Sequence, residues 1–174
     1  MIFLARYNIK FRFVELNDAD FIVKLRTDIE KSKYISETDK DIEKQKKWIR
    51  EYKEREKKQE EFYFIAIDEK NVEFATYRLY NPDETSIEIG SFISIPYYNN
   101  PINVIKVDIV LKTFVFEELG FNELKFEVRK DNKSVINYHN KFKPSLIGDD
   151  ELNNYYNLKK DSFLMNKHRF EKLF

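Results

Sequence analysis

The sequence of 174 residues contains no cysteine, only two histidines and only three glycines. Without cysteine there can be no disulfide bond, no thiolate nucleophile and no zinc site built on thiolates. Two imidazoles are also too few for a histidine-rich metal site, so we expect no bound metal. The scarcity of glycine bears on phosphate binding, because loops that wrap a phosphate usually need glycine to bring the backbone close.

The chain also lacks an excess of charge of either sign. Thirty-one basic residues balance thirty-one acidic ones, so no overall field attracts nucleic acid or an anionic membrane. The amino terminus has a short apolar start interrupted at Arg6 and Lys10, which is typical neither of a signal peptide nor of a membrane span. We therefore predict a cytoplasmic protein that binds neither nucleic acid nor a membrane.

What is present is enough for one well-packed domain. Hydrophobic residues make up 42% of the chain and aromatic residues 16%, and no repeat or low-complexity linker divides it. Apolar alternation predicts strands over 9–13, 62–68, 72–80, 86–95, 124–128, 146–147 and 154–158. Helix signals predict helices after 17–20, within 39–61 and over 102–119, 131–142 and 161–174. The first half thus reads as an antiparallel meander and the second half as α/β.

One predicted strand-to-helix junction, FEVRKDNKSVINYHNKF, carries residues capable of chemistry. Its strand alternates apolar and charged residues, which places Glu127 on the polar face. The helix is predicted to begin at the N-cap Asp131. His139 falls on the apolar stripe of this helix, whereas Tyr138 is predicted to point away from it. A glutamate and a histidine are therefore expected to lie near each other.

This junction resembles the acetyl-CoA-dependent N-acetyltransferases of the GNAT superfamily. Many of them have a strand ending in Glu-Val-Arg, then an asparagine, then a helix with a tyrosine and a Lys-x-Gly-Phe close. The matching residues here are Glu127-Val128-Arg129, Asn132 and His139-Asn140-Lys141-Phe142. His139 stands at the usual tyrosine position, and Lys143 stands at that of the glycine. The segment Leu25–Asp28 (LRTD) is similar to the L-R-N-D of the amino-sugar and ribosomal-protein subgroups.

The resemblance implies an α/β (α+β) fold in a single GNAT-like domain over residues 1–174. The central sheet would be mixed and mostly antiparallel, with about six to seven strands and helices on both faces. The implied function is transfer of an acetyl group from acetyl-CoA to a primary amine, above all that of a nucleotide-linked amino sugar for surface-glycan synthesis. A ribosomal-type acetyltransferase of protein N-terminal amines and a non-catalytic GNAT-like binding protein are the alternatives. A homodimer remains open.

Two residues are expected to move protons. By resemblance Glu127 activates the amine, and an ion pair of Glu127 with Lys125 or Arg129 is the structural alternative. His139 is the expected acid, because an imidazolium can donate a proton to the departing thiolate. A histidine that is merely packed in the core is the alternative for His139.

The other expected site residues follow from the same resemblance. The acyl donor would bind a strand and the helix that opens after it, through free N–H groups at the helix N-terminus. The expected cofactor-binding residues are Ile93, Ile95, Asn100, Ile102, Asn103, Val104 and Asn132. The segment 98–103 has no glycine, and Pro101 removes one donor. The expected substrate-binding residues are Arg26, Tyr77, Arg78, Tyr80 and Glu88, with Arg78 facing a sugar-nucleotide phosphate. For Arg26 a solvated helix residue is the alternative, and for Asn132 a capping amide.

Overall fold

Eight strands form one sheet in the order β1-β2-β3-β4-β5-β6-β8-β7, in a computed structural model that describes residues 1–174. The strands are β1 (Leu4–Arg6), β2 (Ile9–Phe13), β3 (Phe62–Ile67), β4 (Glu73–Tyr80), β5 (Ser86–Ser94), β6 (Glu123–Arg129), β7 (Ser145–Asp149) and β8 (Asn153–Lys159). Neighbouring strands are antiparallel except β5 and β6, which are parallel. The sheet is therefore mixed and mostly antiparallel.

The chain has six α-helices, of which five lie between strands and the sixth follows β8. They are α1 (Ala19–Thr27), α2 (Ile29–Ser32), α3 (Ile42–Lys57), α4 (Pro101–Thr113), α5 (Lys133–Asn140) and α6 (Lys160–Glu171). The last turn of the long predicted helix that contains α4 is a π-helical turn over Phe114–Glu118. None of the six combines the length and the apolar character needed to cross a bilayer.

Hydrophobic residues fill both faces of the sheet, and β3 shows why. All six of its side chains are buried, since successive side chains of a strand point to opposite faces. Phe62, Phe64 and Ala66 pack in the larger core with residues of α4 and α6. Tyr63, Ile65 and Ile67 pack in a smaller core with residues of α1 and α3. Covering both faces with helices explains why β3 is a continuous apolar run.

The predicted fold class is confirmed, with one strand more than the upper end of the predicted range. The extra strand, β1, has three residues and turns back onto β2 through Tyr7 and Asn8, which both have positive φ (54° and 64°). Tyrosine is an unusual residue in that conformation, so little in the local residue pattern indicates a hairpin. The predicted N-cap Asp131 was wrong. The N-cap of α5 is Asn132, whose side chain accepts a hydrogen bond from the Val135 N–H.

Candidate active site

The two parallel strands β5 and β6 separate after a short paired stretch. Ser86, Ile87 and Glu88 pair with the first three residues of β6, and no pairing between the two strands follows. Each strand nevertheless keeps its other neighbour, because β4 pairs with β5 as far as Ser94 and β8 pairs with all of β6. The facing edges therefore leave backbone donors and acceptors without partners in the sheet. The result is a V-shaped opening in the middle of the sheet.

A β-bulge at Ser91 accompanies this separation. The register between β4 and β5 shifts between the pairs Arg78–Gly90 and Thr76–Ile93, and Ser91 has φ of 57°. A bulge of this kind bends its strand and changes which side chains face each way. Accordingly Phe92 and Ser94 line the opening, whereas the Ile93 side chain is buried away from it.

The opening continues into a cleft of about 790 Å³. It is bounded by β4, β5, β6, the start of α4, α5 and the segment 31–36. Seven of the fourteen predicted site residues line it: Tyr77, Arg78, Tyr80, Val104, Glu127, Asn132 and His139. The other seven do not: Arg26, Glu88, Ile93, Ile95, Asn100, Ile102 and Asn103.

A buried polar network lies at one wall of the cleft. Asp108 of α4 accepts hydrogen bonds from Tyr77 (3.0 Å), Tyr138 (2.6 Å) and Lys112 (2.7 Å). Lys112 is completely buried and also lies 3.1 Å from Nδ1 of His139. Both Asp108 oxygens and the lysine ammonium are thus engaged, which is what a buried ion pair requires. Tyr138 does not point away from the core as predicted, because its hydroxyl reaches Asp108.

The network fixes the protonation of His139. An ammonium can only donate a hydrogen bond, so Nδ1 accepts from Lys112 and the imidazole proton is on Nε2. Burial, with the charge of Lys112 as the second cause, lowers the pKa of His139 to about 3 against the opposing effect of Asp108. His139 is therefore neutral near pH 7, in contrast to the expected imidazolium. The hydrogen bond of the imidazole within the protein is made at Nδ1, and the ring lines the cleft.

The charges of Asp108 and Lys112 depend on each other. Burial would raise the pKa of Asp108, but Lys112 and His139 outweigh it, and the pKa lies below its usual value. Burial lowers the pKa of Lys112, with Asp108 acting in the opposite direction. Burial and the proximity of Asp108 also raise the pKa of Tyr77 and Tyr138 well above the usual value. Both phenols are consequently neutral donors to the carboxylate.

Glu127 lies across the cleft on β6 and has no cationic partner. The predicted alternative, an ion pair with Lys125 or Arg129, does not form, because these residues pair with Asp83 and Asp131. Burial raises the pKa of Glu127, and the charges of Glu88 and Asp150 add to this effect. A carboxylate with a raised pKa at the wall of a cleft is suited to accept a proton.

The predicted acceptor residues Arg78 and Tyr80 belong to an aromatic cluster at the other end of the cleft. The Arg78 guanidinium lies 4.9 Å from the ring centres of both Trp48 and Tyr80. It also pairs with the buried carboxylate of Glu61, at 2.6 Å from Nη2. Part of the hydrogen-bonding capacity of Arg78 is thus used inside the protein, while its stacked plane lines the cleft.

Arg26 lies in a smaller adjoining pocket of about 310 Å³, which also contains Trp48 and Arg78. Its Nε donates to Thr38 Oγ1 at 2.6 Å and its Nη2 donates to Ser36 Oγ at 2.9 Å. Arg26 therefore holds the segment after α2 in place, rather than being a freely solvated side chain.

The N-terminus of α4 is partly capped by its own chain. The Asn100 side chain accepts from the Asn103 N–H at 3.2 Å, and the Val104 N–H lies 3.4 Å from the Asn100 carbonyl. The Asn103 side chain is bound to the Tyr98 hydroxyl at 2.8 Å and is buried. Of the three amides predicted to receive a phosphate, only that of Ile102 has no partner within the protein.

Comparison with known proteins identifies the family. The acetyltransferase (GNAT) domain matches residues 8–143. The chain belongs to the GNAT family. This confirms the family expected from the strand-to-helix junction, and the chain is accordingly an acetyl-CoA-dependent acyltransferase. No curated protein matches it.

Solved GNAT structures agree. Apo FdhC, described as a nucleotide-linked sugar GNAT, is 34% identical with a TM-score of 0.84, over 94% of this chain and 93% of that chain. Ribosomal-protein-S5-alanine acetyltransferase from Vibrio fischeri is 12% identical with a TM-score of 0.76, over 92% of this chain and 97% of that chain. A SpeG spermidine N-acetyltransferase mutant from Vibrio cholerae is 13% identical with a TM-score of 0.74, over 91% and 98%. At the two lower identities only the GNAT fold is shown.

Sequence reasoning missed residues that line the GNAT cleft and residues buried directly behind its wall. Asp108 and Lys112 are spaced as i and i+4 in a helix that is otherwise apolar near its middle, and this isolated pair of opposite charges was the available signal. Lys31 also lines the cleft, where its ammonium lies 3.2 Å from Ser94 Oγ. Nothing in the local pattern distinguishes Lys31 from the other lysines of the chain.

Proposed function

We propose that this GNAT enzyme transfers the acetyl group of acetyl-CoA to the primary amine of a nucleotide-linked amino sugar, a precursor for surface glycans. The observation that carries the proposal is the 34% identity to a nucleotide-linked sugar GNAT over nearly the full length of both chains. The spermidine and ribosomal-protein acetyltransferases are far less similar in sequence. A cytoplasmic enzyme with a small-molecule acceptor is part of the same proposal.

The acyl donor fits the opening between β5 and β6. The pantetheine arm of acetyl-CoA carries amide groups, and the unpaired edges of the two strands offer the backbone donors and acceptors that such amides need. The diphosphate would meet the Ile102 amide and the positive end of α4, with Val104 and Asn132 beside the arm. When bound, acetyl-CoA supplies an activated carbonyl carbon and a thiolate leaving group.

The acceptor would enter from the side of the segment 31–36. The negative charges of Glu127 and Glu88 favour a nearby ammonium, and Lys31 provides a cation for a diphosphate. The stacked pair of Arg78 and Tyr80, which lines the cleft, offers a contact surface for a base or a sugar ring. These features suit a molecule that carries an amine, a diphosphate and a ring.

In the proposed reaction, Glu127 accepts a proton from the ammonium, directly or through water. The neutral nitrogen then forms a bond to the thioester carbonyl carbon, and as the carbon–sulfur bond breaks the nitrogen releases its second proton to water. His139 faces the cleft with a protonated Nε2 and donates that proton to the sulfur. His139 acts here as a neutral imidazole rather than as an imidazolium.

A panel of acceptors tests the proposed substrate class. The enzyme is incubated with acetyl-CoA and nucleoside-diphosphate amino sugars, the matching free amino sugars, spermidine or peptides with a free N-terminus, and released thiol is measured. We expect kcat/KM for a sugar nucleotide to exceed the other values by ~10²-fold or more, since losing the nucleotide contacts costs a few kcal/mol. Preference for the peptide or for spermidine would overturn the proposed substrate class while leaving the GNAT assignment intact.

We also propose a homodimer formed along the outer strand β7. All five residues of this edge strand are exposed, including Leu146 and Ile147 at 60% and 55%. An exposed apolar edge strand offers unpaired backbone groups to a second chain.

A further inference from the structure

We propose that Lys112 is the source of the proton that His139 delivers to the leaving thiolate, so that the two side chains form a relay from the core to the cleft. This inference rests on the proposed acid role of His139. Lys112 itself does not face the cleft, and it acts through the imidazole as a positioning and proton-supplying residue.

The first support is geometric. The Lys112 ammonium lies 3.1 Å from Nδ1 of His139 and 2.7 Å from Oδ2 of Asp108. It also lies 4.7 Å from the ring centre of Phe142, which is fully buried. Around Lys112 and His139, the ionisable groups of this network are Asp108 of α4, Tyr77 of β4 and Tyr138 of α5. Water has no access to Lys112, so its nitrogen can exchange a proton only with the groups that touch it.

A lysine with a purely structural role would be energetically unfavourable at this position. Burying an ion pair brings no clear gain in stability over apolar side chains of similar volume. The second of its polar contacts, the one to Nδ1, holds the His139 proton on the nitrogen that faces the cleft. The buried charge of Lys112 thus stabilises the Nε2–H tautomer of His139, which is the tautomer that the proposed reaction uses.

Each proton in the relay has a defined origin and destination. As the carbon–sulfur bond breaks, the thiolate takes the proton of Nε2, and Nδ1 takes a proton from the Lys112 ammonium. The products are a thiol, an imidazole protonated on Nδ1 and a neutral lysine beside the Asp108 carboxylate. The relay resets in one concerted step, in which Nδ1 returns its proton to Lys112 while Nε2 takes up from solvent the proton that the amine nitrogen released. No charged imidazolium is formed at any step.

Burial also brings the pKa of Lys112, the proposed source of the proton, closer to the pKa of the thiol that is formed. Burial lowers the pKa of Lys112 toward that of a thiol, which has an ordinary value of about 8.5. Proton transfer is efficient when donor and acceptor have similar pKa values. An arginine at position 112 would keep the charge but would not release a proton, because the pKa of its guanidinium is above about 12.

The tautomer of His139 can be measured without any substrate. The chain has only two histidines, so correlation spectra of ¹⁵N-labelled imidazoles contain two spin systems, and a His168→Gln variant assigns them. We expect His139 to carry its proton on Nε2 from about pH 8 to about pH 5. A proton on Nδ1, or an imidazolium near neutral pH, would overturn the relay.

Turnover of Lys112→Arg and Lys112→Met separates proton supply from structure. We expect both variants to lose kcat by ~10²-fold with little change in the KM for acetyl-CoA, as for the loss of a general acid. Lys106→Met is the matched control on the same helix and should keep its activity. Full activity of Lys112→Arg would show that only the charge matters and would overturn the proposal.

The pH dependence of kcat in Lys112→Met tests the relay in a second way, and a double variant covers the case in which the single variant does not fold. In a Lys112→Met protein the repulsion by the ammonium is gone while Asp108 still attracts a proton, so the pKa of His139 should rise. Part of the lost kcat should then return as the pH falls, because an imidazolium can donate by itself. If the single variant does not fold, an Asp108→Asn, Lys112→Met double variant removes the unpaired charge, and its His139 should lose the fixed Nε2–H tautomer.

Failure of the relay and failure of the proposed substrate class can be distinguished. The kinetic assays use whichever amine the panel shows to be acetylated, and the tautomer measurement uses no amine. A kcat of an active Lys112→Met protein that stays the same fraction of the unmodified enzyme's kcat at every pH, or an unchanged tautomer in the double variant, counts against the relay. Neither result depends on whether the acceptor carries a nucleotide.

Discussion

At the scale of single residues, the surroundings of Glu127 and His139 differ in the way that their proposed roles as base and acid require. Burial raises the pKa of Glu127, and the nearby carboxylates of Glu88 and Asp150 raise it further. Burial lowers the pKa of His139, and the buried ammonium of Lys112 lowers it further. The pKa values of the proposed base and the proposed acid are thus shifted in opposite directions within one cleft.

Replacing Glu127 with glutamine should lower kcat/KM by ~10²-fold or more, because the amine then has to lose its proton without a positioned base. In the unmodified enzyme the rate should fall as the pH drops through the raised pKa of Glu127, and this dependence should be lost in the variant. Initial rates across the pH range measure both effects. Glu123→Gln on the same strand, outside the cleft, is the control. Equal losses in the two variants would argue against a base role.

Gly90 is a second residue whose effect on the cleft can be tested. A Cβ at Gly90 would lie 2.6 Å from the Tyr80 hydroxyl, and no atom lies within 4 Å of a Cβ at Gly148. Gly90→Ala should therefore displace the Tyr80 ring, and the KM for the acceptor should rise more than the KM for acetyl-CoA. Gly148→Ala should leave both constants as they are. An unchanged acceptor KM in Gly90→Ala would remove Tyr80 from the acceptor surface.

At the scale of secondary structure, the start of α4 joins a helix end to a loop without glycine. Asn100 occupies the Asn103 amide that would otherwise be free for an anion. Pro101 begins the helix well, since its missing N–H is one that has no partner in a helix anyway. The start of α4 is therefore a well-capped helix end that has few free backbone N–H groups left for an anion.

An Asn100→Gly variant tests whether the Asn100 cap withholds a donor from the bound cofactor. Glycine is nearly as good an N-cap as asparagine, so the free energy of unfolding should fall by only a few tenths of a kcal/mol. The Asn103 N–H becomes free, and we expect coenzyme A to bind more tightly in calorimetric titrations. Asn100→Ala frees the same donor but should cost about 1 kcal/mol of stability. Weaker coenzyme A binding in both variants would mean that Asn100 itself contacts the donor.

The elements were largely predictable, whereas the opening of the sheet was not. Apolar alternation located β2 to β6, and the Asn100-Pro101 pair located the start of α4, because these signals are local. The bulge at Ser91 puts a non-glycine residue at positive φ, for which the sequence offers no marker. That bulge shifts the side chains that follow, which is why Phe92 and Ser94 line the cleft instead of the predicted Ile93 and Ile95.

At the scale of the whole molecule, contacts between distant segments decided what sequence reasoning could not. The hydrogen bonds from Tyr77 and Tyr138 to Asp108 join residues 31 and 30 positions apart along the chain. Tyr138 was assigned from its helical angle alone, which ignores the reach of a long side chain beside α4. The family followed from local residue patterns, but the protonation of the candidate site followed from these long-range contacts.

The proposed homodimer makes a prediction for the exposed edge of β7. Sedimentation of the purified protein should show a dimer, and Ile147→Lys should shift it towards the monomer, because a charge at an apolar interface is left without a partner. Val72→Lys, at another partly exposed apolar site, should leave the dimer unchanged. A monomer at all concentrations of the unmodified protein would refute the proposal.

The buried neutral His139 should also make the stability of the whole domain depend on pH. In the unfolded chain an imidazole takes up a proton near pH 6.5, whereas in the folded protein His139 stays neutral down to about pH 3. The unfolded state therefore binds more protons between these values, and the free energy of unfolding falls as the pH falls. From about pH 6.5 to pH 5 this amounts to about 2 kcal/mol. Asp108, whose pKa is lowered, adds a loss in the same direction at more acidic pH.

Urea unfolding across this pH range, compared between the unmodified protein and His139→Gln, measures that contribution. The variant has no imidazole to protonate at this position, so its stability should vary less between pH 6.5 and pH 5, by the same ~2 kcal/mol. His168→Gln removes the exposed histidine instead and should follow the unmodified protein. Parallel curves for all three proteins would mean that His139 takes up its proton in the folded state, and the Nε2–H donor of the proposed reaction would then not be the neutral imidazole.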